Sequence, residues 1–205
     1  MKTKQYLLCT RIVRKIKWSE VSLDTLNNSA WLTLQKSEVS NPEKDVIYKL
    51  LHNTGLTPKM AESMGIHEGR DCPFCPFKDI KSSHYFKCIH FQPLWLFISK
   101  ILSRDLTNVS RSGINGSRNM KYDNIFIYYG LCTIYKSYVH FLNHFGDNFD
   151  YLSHFRHMVF GRILSEFHVC MRGGKVLMDN FHRKWKKYKL YTMINNRINI
   201  NLNLK

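Results

Sequence analysis

The sequence predicts a mostly α-helical protein in which a small helical module, stapled by a CCHC-type cluster of three cysteines and a histidine, is followed by a basic, aromatic-rich helical bundle. Three observations carry that prediction. Apolar residues recur at helical spacing in successive windows, helix caps and stops punctuate those windows, and Cys72, Cys75, His84 and Cys88 fall within seventeen residues of chain. The length of 205 residues with 44% apolar and 14% aromatic side chains is enough for a packed core and excludes a wholly disordered polybasic chain.

The stretch to residue 41 is basic, with Arg11, Arg14, Lys15 and Lys17 followed by isolated Trp18 and Trp31. It carries no assignable element, and one reading is a remnant of an upstream domain. From there the signals sharpen. Asn41 as N-cap, Pro42 at the first helical position and the stripe Val46, Ile47, Leu50 and Leu51 predict a helix over 42–53, stopped by Gly55. Thr57 and Pro58 start a second helix that Gly65 ends. Leu94, Phe97, Ile98, Ile101 and Leu102 predict a third after Pro93, closing a module over 42–104.

Residues 105–122 are rich in Ser, Asn and Gly, carry Arg111, Arg118 and Lys121, and read as a basic linker and the main internal boundary. Beyond it, residues 123–191 form the bundle. Ile127, Leu131, Ile134, Tyr138, Phe141 and Phe145 mark an amphipathic helix, and Leu152, Phe155, Val159, Ile163 and Phe167 a second, with Arg162 and Glu166 as an i,i+4 pair and Gly173-Gly174 as its stop. Phe181, Trp185 and Tyr188 line the last helix opposite Arg183, Lys184, Lys186, Lys187 and Lys189. The tail over 192–205 alternates Asn with Ile and Leu. Because Asn disfavours strands and a chain end has little to pair with, it reads as low-complexity tail rather than strand.

The Cys-x2-Cys-x8-His-x3-Cys spacing is the sharpest constellation. A turn between two cysteines brings both sulfurs to one side, and the i,i+4 pair His84 and Cys88 shares one helix face, so four ligands can close around a Zn²⁺ ion with no open position for catalysis. His90 is an alternative fourth ligand. A redox dithiol at Cys72 and Cys75 would call for a preceding βαβ unit, which is absent, and chance clustering of reduced thiols is the bland alternative. Cys132 and Cys170 read as small core residues. The pairs His140 with His144 and His154 with His157 lack a further ligand and read as solvated or hydrogen-bonded helix histidines. Six irregularly spaced cysteines, no signal-peptide core and no long apolar run together predict an intracellular protein without a membrane partner.

The charge adds a partner class. There are 31 Lys and Arg against 15 Asp and Glu, a net of +16, of which +10 lies beyond residue 105. Such an excess suits a polyanion, and with a zinc module in the same chain nucleic acid, RNA or DNA, is the expected partner. Arg183, Lys184, Lys186, Lys187 and Lys189 are candidates for phosphates, and the same cluster suits nuclear import. Around the cysteines, Lys78, Lys81 and Lys87 offer charge, and Tyr85 offers a stacking face. Phe86 is either a second stacking face or a packing residue under the loop. The bland alternative throughout is a solvated basic face.

The run Tyr48-Lys49-Leu50-Leu51-His52-Asn53, then Leu56-Thr57-Pro58-Lys59-Met60, Gly65-Ile66, Cys72-Pro73-Phe74-Cys75, His84-Tyr85-Phe86-Lys87-Cys88 and Trp95 resembles the zinc-binding C-terminal region of non-LTR, LINE-type retrotransposon reverse transcriptases. The specific resemblance covers about 45–105, with one departure: three residues separate His84 from Cys88 where four are common in the family. It implies template or target holding beside an upstream polymerase domain, and that the chain is the end of a longer enzyme. Such polymerases bind two catalytic metal ions through an Asp-Asp pair, and no such pair occurs in this sequence. The acids of the second half, Asp123, Asp147, Asp150, Glu166 and Asp179, also lack the Pro-Asp and acid-x-Lys elements of the nuclease some members carry. The expectation is a nucleic-acid-binding module without catalysis of its own. The runner-up is a protein-interaction module in which the metal is purely structural, and a cryptic nuclease comes third.

Overall fold

The structure, a computed structural model, describes residues 32, 34–51, 54–66, 68–77, 84–85, 87–106, 123–144, 149–195 and 197–202. The basic stretch over 1–31, most of the 105–122 linker, and Lys78, Lys81 and Phe86 lie outside them. The architecture is mostly helical with one two-stranded hairpin.

Helix α1 (Asn41–Leu51) begins one residue earlier than its sequence signals suggest. The Ser40 carbonyl accepts from Lys44 and the Ser40 N–H donates to the Glu43 carboxylate at 2.7 Å, one arm of a capping box, so Ser40 and not Asn41 is the cap. Ile47 and Leu50 are buried on its inner face. Helix α2 (Pro58–Ser63) is capped as expected, with Thr57 Oγ1 accepting from the Met60 N–H at 3.2 Å. It ends in a Schellman motif: Gly65 turns left-handed at φ 67° while Ile66 donates to Ala61 and Gly65 to Glu62. Helix α3 (Gln92–Leu102) follows a 3-10 turn at Ile89–Phe91 and buries Leu94, Trp95, Phe97, Ile98 and Ile101.

Helix α4 (Asp123–His144) departs from the expected amphipathic pattern. Every residue from Asn124 to Ile134 is buried, so its first turns are surrounded on all sides rather than along one stripe. Its neighbours are α1, α3 and α5. Gly130 lets α3 approach: a Cβ there would lie 2.7 Å from Ile98 Cδ1 and 3.3 Å from the Trp95 ring. The apolar residues on either side of the 105–122 segment consequently form one continuous core.

Helix α5 (Tyr151–Arg172) is capped by Asp150, whose carboxylate accepts the Ser153 N–H at 3.0 Å and sits below the usual carboxylate range because of that bond. Gly173 and Gly174 reverse the chain into α6 (Lys175–Trp185), which folds back along α5, and a 3-10 turn at Lys186–Tyr188 follows.

The tail reading is overturned. Tyr191–Ile194 (β1) and Arg197–Ile200 (β2) pair antiparallel, Tyr191 opposite Ile200 and Ile194 opposite Arg197. Asn is costly inside a strand but suits the turn, where Asn195 adopts φ 50°. Along β2 the alternation is two-faced: Ile198 and Ile200 lean on the core, as does Leu202 beyond the strand, while Asn199 faces out. The chain end does find something to pair with, namely itself, backed by the aromatic face of α6 through the Phe181–Tyr191 ring contact at 5.3 Å.

Candidate metal centre and basic surface

The loop after α2 carries Cys72 and Cys75 in a knuckle closed by the Cys72 N–H donating to the Phe77 carbonyl at 3.0 Å. Each cysteine there is followed by a proline, which has no N–H to offer the sulfur, and the amide two residues ahead meets it. Cys72 receives the Phe74 N–H and Cys75 the Phe77 N–H, and Cys88 repeats the pattern with the N–H of His90. Three sulfurs each met by an N–H from residue i+2 are prepared to carry negative charge.

His84 and Cys88 are joined by one helical turn, the Cys88 N–H donating to the His84 carbonyl at 2.8 Å, which brings both side chains to the knuckle. The four ligand atoms all lie within 4.8 Å of one another, with Cys72 Sγ 3.8 Å from Cys88 Sγ and Cys75 Sγ 3.2 Å from His84 Nε2. The four candidates are thus brought together, and they could hold one metal ion. His90 is not among them: its ring stacks on Phe74 at 4.9 Å, and its carbonyl accepts from the Tyr151 hydroxyl.

Cys72, Cys88 and His84 are buried. The hydrogen bond between the Cys72 and Cys88 sulfurs is the main cause that holds Cys72 well below the usual thiol range, and the same contact, with burial, pushes Cys88 up. Burial also raises Cys75. One thiolate is therefore tolerated by the protein alone, and three together need a cation.

A residue not singled out for the site completes it. The hydroxyl of Tyr138, fully buried on α4, lies 3.0 Å from Cys72 Sγ, and its ring packs edge-on against Phe74 and Tyr85. Nothing in the sequence pairs Tyr138 with a cysteine 66 residues away, since it reads there only as one apolar step of a helix.

Two of the nucleic-acid candidates are corrected. Tyr85 is 1% exposed, its hydroxyl donates to the Leu56 carbonyl and burial raises its pKa, so its face is packed in the core and cannot stack on a base. Lys184 is 5% exposed and held between Glu38 and Glu166, with Nζ 2.8 Å from Glu166 Oε1. Arg162 joins the same network at 2.9 Å from Glu38 and 3.4 Å from Glu166, the i,i+4 pair read from the sequence, and the Trp185 N–H donates to Glu166. Two cations and two carboxylates balance there, which leaves Lys184 no charge to offer a phosphate. Arg183, Lys186, Lys187 and Lys189 are exposed, as is Lys87 beside the knuckle, although Lys187 also bridges to Asp123 at 2.8 Å.

Among the described residues no other group of three or more ligand-type side chains comes together, and the His157 ring is hydrogen-bonded to the Ser153 carbonyl. Cys132 and Cys170 are buried, as expected of core residues. No described helix is long and apolar enough to cross a membrane. Comparison with known protein families, with curated proteins and with solved structures finds no match for the chain, so what is said of this site rests on its own geometry.

Proposed function

We propose that the chain is a zinc-stapled, nucleic-acid-binding module of the kind found at the C-terminal end of non-LTR retrotransposon reverse transcriptases, which helps hold template or target and has no catalytic step of its own. The observation that carries it is the tetrad. Zinc binds thiolates at about 2.3 Å, so two sulfurs of a tetrahedral site stand about 3.8 Å apart. Cys72 and Cys88 have that separation. Bound there, zinc would supply charge neutralisation and cross-linking: it ties the knuckle, and with it α2, to the start of α3.

The basic surface supports the partner class. Arg183, Lys186, Lys187 and Lys189 at the end of α6 and Lys87 near the tetrad present cations to a phosphate backbone. In place of Tyr85, the aromatic face on offer beside the metal ligands is Phe77, 59% exposed and 5.3 Å from the His84 ring. Lys and Arg pairing with phosphates and a single stacking face give binding that tolerates sequence. An RNA or DNA insertion complex would place the protein in the nucleus.

The test is binding of labelled single-stranded RNA and duplex DNA across a salt series. Micromolar binding that falls steeply with salt supports this reading. Absence of binding at low salt favours a second one, a protein-interaction module with a purely structural metal. That reading has its own observation: Val169, Met171, Val176 and Leu177 stand 40–73% exposed around the α5–α6 turn.

A further inference from the structure

Tyr138 lies on α4, one helix and the whole 105–122 segment away from the knuckle in sequence, yet its hydroxyl sits 3.0 Å from Cys72 Sγ. When Cys72 is a thiolate the sulfur has no proton, so the hydroxyl is the donor. The side chain has no freedom to choose another partner. It is fully buried, and its ring is gripped edge-on by Tyr85 at 4.5 Å and Phe74 at 5.0 Å, both residues adjacent in sequence to metal ligands or between them. The next aromatic turn of α4, Phe141, also packs on Phe74 at 5.5 Å. The knuckle therefore closes against a prepared aromatic wall with one polar atom in it, and that atom faces the sulfur.

We propose that Tyr138 is the outer-shell donor of the metal centre, a positioning residue whose hydroxyl orients the Cys72 thiolate and thereby makes metal retention depend on the docking of helix α4. The proposal rests on the metal reading above. Outer-shell hydrogen bonds to a ligand fix its direction and reduce its charge density, and losing one costs roughly 10–100-fold in metal affinity. The metal then ties more than its own loop. It links the segment before residue 105 to the central helix of the segment after it, so ion loss and loosening of α4 are coupled events.

The experiment uses the full chain loaded with Co²⁺, whose thiolate charge-transfer band reports the electron density on sulfur, and Zn²⁺ for affinity. In Tyr138→Phe the band should move to lower energy, and Zn²⁺ affinity measured by chelator competition should fall roughly 10–100-fold. Tyr128→Phe is the control: Tyr128 is buried on the same helix and its hydroxyl has no hydrogen-bond partner, so that change should leave both readouts alone. Should Tyr138→Phe fail to fold, 3-fluorotyrosine placed at position 138 keeps the shape and strengthens the donor, and the band should move to higher energy. Unchanged band and affinity in a folded, metal-bound Tyr138→Phe protein, or no shift with the fluorinated residue, overturn the proposal and leave the metal reading standing. Failure of the unmodified chain to take up Co²⁺ or Zn²⁺ overturns both.

Discussion

The knuckle over 72–88 and the basic stretch over 183–189 are both short and both rich in side chains that bind ions, but they owe their arrangement to different causes. The knuckle's geometry is set within a few bonds: prolines after Cys72 and Cys75, one helical turn from His84 to Cys88, and amides two residues ahead of each sulfur. In the basic stretch, composition is local but exposure is not. Lys184 is turned inward because Glu38 and Glu166, 146 and 18 residues away, wait on the inner side, while Arg183 just before it and Lys186 two residues after it face out. Ligand spacing is information about shape. A count of charges is not, since a helix of one composition can present any of its faces to solvent.

The largest expected effect separates the two regions most clearly. Cys75→Ser should abolish the one-to-one zinc content measured by atomic emission on purified protein, and an unchanged content would end the metal reading. Structural zinc contributes about 10–16 kcal/mol of apparent binding free energy in small zinc peptides, so a folding defect should accompany the loss. Next in size, Lys184→Met should destabilise the chain by about 2–3 kcal/mol in urea unfolding. That is below the usual ~3–5 kcal/mol for a stranded buried charge because Arg162 still faces both carboxylates. If Lys184→Met instead weakened RNA binding at full stability, the inward placement of that side chain would be wrong.

Tyr85→Phe should cost about 1 kcal/mol, the hydrogen bond to the Leu56 carbonyl, with nucleic-acid affinity unaltered. The smallest effect on stability, under about 0.5 kcal/mol, is expected for Lys186→Ala with Lys189→Ala, whose side chains are exposed. The same pair should flatten the slope of log affinity against log salt by about one for each lysine removed. A pair that lowers stability but not the slope would assign the basic stretch to the fold alone.

Much of the helix punctuation was legible because its signals act over one turn of chain. Thr57 with Pro58, the stop at Gly65, and the Gly173-Gly174 reversal each specify a local backbone state, and each is found. The N-cap slipped by one residue where Ser40 and Asn41 are equally good caps and Glu43 chose between them. The hairpin at 191–200 was hidden for a different reason. Asn weakens a strand on average, but here Asn195 occupies the turn and Asn199 the outer face, positions where that preference has little force. Helix α4 was recognised as a helix, and its burial on every side was not, since periodicity marks a preferred face and cannot tell how many neighbours will arrive.

The sequence by itself determined that this chain is helical, strongly basic, and equipped with four metal-ligand side chains at spacings a single ion can span. These properties depend on residue types and on backbone geometry over a few residues. Only the tertiary structure decided that His90 stacks on Phe74 while Cys88 joins the tetrad, that Tyr85 and Lys184 are buried, and that Tyr138 meets Cys72. Those outcomes depend on which face of one element meets which face of another, and side chains tens of residues apart settle that together when the core closes.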